Sequence, residues 1–445
     1  MDRAERFLAE GRYQEAFREL VKGTRRGPPP RVAKALLRLA EFYSLYGEAE
    51  RENLRAALEE AQRSHPKVAE DPLFQALSVF LKSLEGGEPE LFSPPTPRAA
   101  FHLAHAAMAA DRPEAALRLL ENAHPLPEFL AWRVWDLRAA ALLALGRFGE
   151  ALSAYRQALP LAQGEDRAFL VLDAAQAALD AGRPEEALAL LSEHEPPPIA
   201  SAEASWRYLE ARAHLALGNP RVAWELLAQA EAKEEEIGDP SYGVALLKGQ
   251  TAMELGRFGE AEAAFVRALG LAPSEEKGFA RHELAIARLE LGRHLEAEGL
   301  LKALAADPAY PYRGSAAADL AELFYRLMDY EAAAAWAREA VLLGNAAAGE
   351  LFLGHIAYDR MHLEEALERY RRVAELAPEG GREWLAAQQT AVEVLAQLGY
   401  PDPEEVLERA EAALRHTPPA DEWAGTLKFY AEEARRRLGE GRILN

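Results

Sequence analysis

The sequence contains no cysteine in its 445 residues. Disulfide bonds, thiolate nucleophiles and cysteine-ligated zinc sites are therefore excluded. Long apolar runs are missing as well, because no segment approaches the ~20 apolar residues that cross a bilayer. The charged first residues also lack the apolar core of a signal peptide. These absences predict a soluble, cytoplasmic protein without membrane insertion.

Positive charge is in deficit, since 51 Lys and Arg residues face 72 Asp and Glu residues and leave a net charge of −21. A nucleic-acid binder needs a basic surface that displaces counterions, so this balance predicts that neither DNA nor RNA is the main ligand. The acidity is explained most simply by a solvated outer surface. The functional alternative is a basic or cationic partner. Arginine outnumbers lysine, which favours a bacterial protein from a thermophile.

Alternating β-branched residues are also missing, whereas Ala and Leu, which favour helices, are abundant. Two apolar-periodic segments, 242–255 and 258–271, lie on either side of Gly256 and Arg257. Small residues stand where two helices would approach closely, and large ones stand where a gap would need filling. The small residues are Gly249, Ala252, Ala261 and Ala268, and the large ones are Phe258 and Phe265. This pattern predicts an interlocking helical hairpin.

The turn of this hairpin recurs along the chain. It stands at Gly146, Gly182, Gly218, Gly256 and Gly292, with spacings of 36, 36, 38 and 36 residues. Towards the C-terminus the pattern continues without glycine at Met328 and Met361. Towards the N-terminus it continues at Asp111 and Gly11. Such regularity indicates one repeated supersecondary unit rather than several different domains.

These residues resemble the tetratricopeptide repeat family. One copy of its pattern comprises Gly249, Ala252, Gly256, Phe258, Ala261, Phe265, Ala268 and Pro273, and another comprises Trp135, Ala139, Leu142, Gly146, Phe148, Ala151, Tyr155 and Ala158. The period is nearer 36 residues than the family's 34, and most closing prolines are missing. The resemblance implies an all-α fold, a right-handed α-solenoid of about ten antiparallel helix pairs.

Three regions are predicted. Residues 1–96 form irregular N-terminal helical repeats, including a lone helix at 72–84 and a hinge at 86–97 that is rich in glycine and proline. Residues 97–415 form the regular array. Residues 416–445 form a capping helix, about 420–438, followed by a frayed tail.

Catalytic and metal-binding motifs are weak. His102 and His105 share a helical face without a third ligand, and Ile286 stands where a zinc-protease motif starting at His282 needs its second histidine. No glycine-rich phosphate loop and no nucleophile elbow is present. The sequence therefore predicts a non-enzymatic protein without a cofactor or metal.

In this family the first helix of each hairpin lines the concave wall, which implies a set of candidate partner-binding residues. They are Asp136, Gln176, Tyr208, Arg212, Gln250, Met253, His282, Glu322, Tyr325, His355 and Tyr358. Phe169 and Phe279 fall on the same wall, or alternatively pack between hairpins. Aromatic rings with sparse polar groups suit a peptide or helix groove.

The predicted function is a protein-protein interaction scaffold that grips a partner peptide or helix in its concave groove. The alternative is a regulatory or sensor module that takes a small ligand or signalling peptide inside the superhelix. A third option is self-assembly through the terminal helices, where Arg435, Arg436 and Arg437 could meet an acidic face. Some family members have a clamp for a carboxylate group. That clamp is absent here, because the positions that match it hold other residues, among them Asp136 and Arg212. The sequence does not identify the partner or the oligomeric state.

Overall fold

The computed structural model describes residues 3–25, 27–123 and 125–443, with side chains up to residue 439. Every regular element within these ranges is helical. The all-α fold class predicted from the sequence is therefore confirmed. The chain forms two compact units, Met1–Pro240 and Ser241–Asn445, which are called unit 1 and unit 2 below.

The described residues of unit 1 form six α-helix pairs, one additional α-helix and two short 3₁₀ helices, Gly47–Glu50 and Pro66–Glu70. The pairs are α1 (Arg3–Ala9) with α2 (Tyr13–Thr24), α3 (Pro29–Ser44) with α4 (Arg51–Ser64), α6 (Pro97–Ala109) with α7 (Pro113–Leu120), α8 (Glu128–Ala144) with α9 (Phe148–Ala158), α10 (Gly164–Asp180) with α11 (Pro184–Ser192), and α12 (Ala200–Ala216) with α13 (Pro220–Ile237). The additional helix, α5 (Pro72–Leu84), stands between the second and third pairs.

The part of unit 2 that the structure describes forms five helix pairs and a terminal helix. The pairs are α14 (Tyr242–Glu254) with α15 (Phe258–Leu271), α16 (Lys277–Glu290) with α17 (His294–Ala306), α18 (Arg313–Arg326) with α19 (Tyr330–Leu342), α20 (Ala346–Asp359) with α21 (Leu363–Leu376), and α22 (Arg382–Gln397) with α23 (Pro403–His416). The terminal helix is α24 (Glu422–Ile443).

The hairpin turn depends on one residue with left-handed backbone. Gly256 has a φ of 67°, and the next amide, of Arg257, donates to the carbonyl of Ala252 at 2.8 Å. This hydrogen bond closes the C-terminus of α14 and reverses the chain within a few residues. Glycine tolerates this φ because it has no Cβ.

Methionine occupies the same turn position in two hairpins of unit 2. Met328 has a φ of 58° and Met361 a φ of 60°, and their side chains are 68% and 70% exposed. A left-handed conformation costs a residue with a Cβ roughly 1–2 kcal/mol. Since the side chains are largely exposed, little packing energy offsets this strain.

We expect Met328→Gly to raise the free energy of unfolding by up to about 1 kcal/mol, because relief of strain exceeds the added entropy of the unfolded glycine. Urea denaturation followed by circular dichroism measures the change. The reverse substitution, Gly292→Met, is the matched control and should lower stability by a similar amount. A less stable Met328→Gly variant would contradict the strain argument.

The helices of each hairpin interlock through small and large side chains. A Cβ built on Gly249 would lie 2.4 Å from the ring of Phe265, which is fully buried. The hairpin of α20 and α21 repeats this arrangement, because a Cβ on Gly354 would lie 2.7 Å from the ring of Tyr370. The small and large residues predicted from the sequence therefore do set the distance between helices.

Several sequence predictions differ from the structure in the N-terminal region. Helix α5 is not alone, because Leu77 and Phe80 share a core with Ala106 of α6. Pro29 and Pro30 occupy the first positions of α3, where the missing N–H is not needed.

Helix α1 contacts a helix that is far away in sequence. Phe7 and Leu8 share a buried core with Phe129 and Val134 of α8. Glu5 accepts a hydrogen bond from Arg98 of α6 at 2.8 Å. The first helix therefore packs beside α6 and α8, and it does not merely precede α3.

The boundary between the two units falls between α13 and α14. Helix α13 ends at Ile237 and is capped by Gly238, which has a φ of 70° and precedes Asp239 and Pro240. Helix α24 continues to Ile443, beyond the predicted end near 438, so residues 439–443 are helical and not frayed. Residues 444 and 445 of the predicted tail lie outside the described residues.

Candidate functional site

The predicted site residues occupy equivalent faces of the first helices, and we call this face the first-helix wall. Its unit 1 members are Asp136, Gln176, Tyr208 and Arg212, and its unit 2 members are Gln250, Met253, His282, Glu322, Tyr325, His355 and Tyr358. All of them are half-buried except His282, which is buried. The wall is thus neither core nor fully solvated surface.

In unit 1 the wall residues of neighbouring hairpins are linked. The guanidinium of Arg212 on α12 donates to Gln176 on α10 at 2.9 Å and to Asp180 at 3.1 Å. Tyr208 lies about one helical turn before Arg212 and is half-buried. This burial raises the pKa of the Tyr208 hydroxyl. Arg212 is therefore already engaged by two acceptors of the wall.

Asp136 on α8 interacts electrostatically with a second carboxyl group, that of Asp173 on α10. Burial and the charge of Asp173 raise the pKa of Asp136 to about 7. The side chain of Asp173 is exposed, but the protein around its carboxyl group desolvates it in part. This desolvation raises the pKa of Asp173 to about 6. This part of the wall therefore accumulates negative charge as the pH rises through neutrality.

In unit 2 the corresponding wall carries a histidine between two oxygens. His282 Nε2 lies 2.6 Å from Asp319 Oδ2, and Nδ1 lies 2.7 Å from the hydroxyl of Tyr310. Gln250 of the preceding first helix hydrogen-bonds Glu283, whose pKa is raised by burial. These contacts link α14, α16 and α18 across the wall.

A cavity of about 400 Å³ opens on the wall where α18, α20 and α22 meet. Three of the predicted site residues, Glu322, Tyr325 and His355, line it. The rings of Tyr325, Phe352 and His355 lie 6.0–6.2 Å from one another. Leu351 adds an aliphatic surface to this aromatic cluster.

The polar groups of the cavity have defined partners. The hydroxyl of Tyr370 lies 2.9 Å from His355 Nδ1, and burial lowers the pKa of His355 to about 4, so the ring is neutral at physiological pH. Tyr325 donates to Asp359 at 2.8 Å. Glu322 accepts from Arg326, which also donates to Glu290 of α16 at 2.9 Å. The aromatic cluster is therefore held in place from several helices.

Not every predicted residue reaches the cavity. Tyr358 lies farther along α20 and accepts from Gln397 of α22 at 2.7 Å. Met253 and Gln250 belong to α14, and neither lines this cavity. The wall of unit 2 therefore brings together three of its seven predicted residues at one site.

A tetratricopeptide repeat family model matches residues 208–276, which include most of two helical hairpins. The same turn geometry and the same small and large packing positions recur in hairpins outside the matched segment. Residues 208–276 are therefore tetratricopeptide repeats within a divergent array of such hairpins.

Solved structures with similar helical arrays have low sequence identity to this chain. A tetratricopeptide repeat protein from Parabacteroides merdae is 16% identical, with a TM-score of 0.46, over 60% of this chain and 98% of that one. The APC/C Cut9–Hcn1 hetero-tetramer is 14% identical, with a TM-score of 0.41, over 97% and 82%. Human IFIT1 with m7Gppp-AAAA is 16% identical, with a TM-score of 0.43, over 95% and 96%. These likenesses are too weak to indicate a partner.

A comparison with curated proteins found no significant match. Among the described residues of the tetratricopeptide array, no group of three or more His, Cys, Asp or Glu side chains could hold a metal ion. None of the helices in the described part of the chain is long and apolar enough to span a membrane.

Sequence reasoning missed most of the residues that line the unit 2 cavity of the tetratricopeptide array, among them Asp319, Phe352 and Arg382. Phe352 stands one helical turn before His355, so the predicted register could have included it. Asp319 likewise stands one turn before Glu322. Arg382 begins α22, where the expected wall contained no candidate.

The histidine pair on α6 has structural partners. His102 Nε2 lies 3.2 Å from Glu41, and its Nδ1 lies 3.4 Å from the hydroxyl of Ser44, which donates to the carbonyl of Glu41. Ser44 is 1% exposed, so no substrate can reach this hydroxyl. His105 lies between the rings of Phe80 and Phe101 and is held neutral, because burial lowers its pKa to about 3.

Proposed function

We propose that this tetratricopeptide protein is a non-enzymatic scaffold that binds a peptide or helix of a partner protein on its first-helix walls. Tetratricopeptide arrays generally serve as protein-interaction scaffolds. The main support here is the unit 2 cavity, where predicted wall residues of α18 and α20 converge around an aromatic cluster. Its position on the helices that carry the predicted site favours it as the principal anchor.

The chemistry of the cavity suits a peptide. Phe352, Leu351 and Tyr325 supply apolar surface for an anchoring side chain, and such buried anchors dominate binding energies. Asn345 and Glu383 at the rim offer sparse polar groups that can set the register of a bound backbone. The rings are pre-positioned by hydrogen bonds, which reduces the entropy lost on binding.

We propose protein rather than nucleic acid as the partner. The net charge of −21 opposes a polyanionic ligand, and the wall adds the carboxylates Asp136, Asp173 and Glu322. A strong salt-dependent affinity for single-stranded RNA would contradict this part of the proposal.

The alternative is a sensor that binds a small ligand in the same cavity. Its volume of about 400 Å³ supports this alternative, because small-molecule sites typically span about 300–1,000 Å³. A peptide would contact several hairpins of the wall, whereas a small ligand would fit within this one cavity. The experiment below distinguishes the two functions.

We expect peptides selected from a random display library by the wild-type protein to lose at least tenfold in affinity on Tyr325→Ala/Phe352→Ala. About 1.4 kcal/mol corresponds to tenfold, and loss of two aromatic anchors exceeds this. Fluorescence anisotropy measures the affinity. Phe429→Ala, which removes a ring that is 63% exposed on α24, is the control and should leave affinity unchanged.

Selected peptides that bind equally to wild type and to the cavity variant would contradict the cavity as the anchor. Failure to select any peptide, together with stabilisation by a small metabolite that the cavity variant abolishes, would favour the sensor. Circular dichroism establishes that each variant remains folded.

A further inference from the structure

Two charged side chains that line the unit 2 cavity have no partner in the part of the chain that the structure describes. They belong to Arg382 and Glu383, the first two residues of α22. Arg382 is exposed and Glu383 is half-buried. None of the described residues forms a hydrogen bond or an ion pair with either side chain. One positive and one negative charge at this cavity are therefore left uncompensated by the described protein.

The other charged residues that line the cavity are paired within the protein. Asp319 Oδ2 lies 2.6 Å from His282 Nε2. Arg326 donates to Glu322 and, at 2.9 Å, to Glu290. The neutral polar side chains of the cavity likewise have side-chain partners. A charged ligand group would have to break one of these contacts, so Arg382 and Glu383 are the groups most available to it.

Helix stability does not explain the position of Arg382. The N-terminus of a helix favours acidic side chains and disfavours basic ones, so Glu383 suits the first turn of α22 and Arg382 does not. Arg313 likewise begins a first helix, α18, but it donates to the carbonyl of Ala305 at the end of α17 at 2.8 Å. Arg382 makes no such bond to a described residue. Its guanidinium is therefore free to bind a ligand.

The two charges occupy different places at the cavity. Consecutive residues of an α-helix point about 100° apart, because one turn contains about 3.6 residues. Side chains at such positions do not face each other, which agrees with the lack of an ion pair between Arg382 and Glu383. A ligand that contacts the apolar surface of Leu351 and Phe352 therefore meets a positive group and a negative group at separate points of the same cavity.

We infer that the peptide segment bound in this cavity has an apolar anchor residue flanked by an acidic side chain, which pairs with Arg382, and a basic side chain, which pairs with Glu383. The inference rests on the proposed function and adds the charge pattern of the partner. A guanidinium binds a carboxylate through two parallel hydrogen bonds. Complementary charges contribute more to specificity and orientation than to affinity. Arg382 and Glu383 therefore set the direction in which the bound peptide runs.

The test uses the full chain and the peptides that it selects from the random display library. We expect these peptides to carry an acidic and a basic residue at fixed positions on opposite sides of the apolar anchor. Replacing the acidic residue by its amide should weaken binding to wild type about two- to fivefold, the range of exposed ion pairs. The same replacement should leave binding to Arg382→Gln unchanged. Fluorescence anisotropy measures the four affinities of this double-mutant cycle.

An exchange of the two charges tests the direction of the peptide without altering the net charge. Arg382→Glu/Glu383→Arg should prefer, by about fivefold or more, peptides whose acidic and basic residues have changed places, because both original pairs become repulsive. The matched control is Arg338→Glu/Glu364→Arg, which exchanges the same charges at exposed positions of α19 and α21 that do not line the cavity. It should keep the preference of wild type. Circular dichroism establishes that both variants remain folded.

The outcomes separate this inference from the proposed function. Selected peptides that lack the charge pattern, or that lose equal affinity for wild type and Arg382→Gln when their acidic residue is replaced, would overturn the inference alone and leave the cavity as a peptide site. An exchange variant that keeps the wild-type preference would also overturn it. Failure to select any peptide, or binding that Tyr325→Ala/Phe352→Ala does not weaken, would overturn the proposed function and the inference together.

Discussion

Gly349→Ala is expected to lower the free energy of unfolding by roughly 3 kcal/mol, at the upper end of the cost of overpacking. Gly349 lies in α20 against α19, and a Cβ built there would lie 2.4 Å from the carbonyl oxygen of Ala337 and 2.7 Å from a methyl group of Val341. The first contact is with backbone, so no side-chain rotation can relieve it. The two helices would have to separate, which loosens a buried interface.

The matched control is Gly299→Ala in α17, where a Cβ would meet no atom within 4 Å. Alanine favours a helix over glycine by about 1 kcal/mol, so this variant should be slightly more stable than wild type. Urea denaturation followed by far-ultraviolet circular dichroism measures both. Equal effects of the two substitutions would contradict the close approach of α19 and α20.

Glu41→Gln is expected to lower the free energy of unfolding by roughly 3 kcal/mol at pH 7, because removing one partner of a buried ion pair leaves the other charge uncompensated. Glu41 is 3% exposed and accepts hydrogen bonds from Arg98 at 3.1 Å and from His102 at 3.2 Å. Arg98 also contacts Glu5 of α1. The substitution therefore weakens the network that joins α1, α3 and α6.

The pH dependence gives this prediction a second readout. Burial alone would raise the pKa of Glu41, but the hydrogen bond from His102 and the charge of Arg98 outweigh it and hold the pKa below its ordinary value of 4.5. A carboxyl group whose pKa is depressed by folding stabilises the fold above its unfolded pKa, and this contribution is lost as the pH falls through the folded value. The difference between wild type and Glu41→Gln should therefore be largest near neutrality and shrink below pH 4.5.

Glu52→Gln is the control, since the Glu52 side chain is 68% exposed and pairs with Arg55 on the surface. Exposed ion pairs contribute about 0–1 kcal/mol, so its effect should be small at every pH. A pH-independent loss in Glu41→Gln would indicate a packing defect in place of a lost ion pair.

The hairpins of the regular array could be predicted closely from the sequence. The segments predicted at 242–255 and 258–271 correspond to α14 and α15 because a positive-φ glycine, a periodic apolar face and small contact residues all act locally. Local signals of this kind also determined which face of each first helix forms the wall.

The position of α1 could not be predicted in the same way. Phe7 shares a core with Phe129, which lies more than a hundred residues away in the chain, and no local pattern specifies such packing. Contacts between distant segments decide this feature.

The candidate site was only partly predictable. Repeat register identified Glu322, Tyr325 and His355, but the cavity around them also depends on Arg382 at the start of the next hairpin. The pairing of His282 with Asp319, and its absence at Asp136, depends on side-chain geometry that repeat spacing does not specify. The repeat register therefore predicts a wall, whereas the partners of its charged groups are apparent only in the structure.

Neighbouring residues of a first helix make different contacts, which has an evolutionary consequence. Gly249 faces the partner helix α15 of its own hairpin, whereas Gln250, its immediate neighbour in sequence, hydrogen-bonds Glu283 of the next hairpin. His355 differs, because it also contacts Tyr370 of its own hairpin. A mutation at Gln250 therefore alters the wall while the close packing of Gly249 against Phe265 stays in place, and a duplicated hairpin can diversify at such a position at little cost in stability.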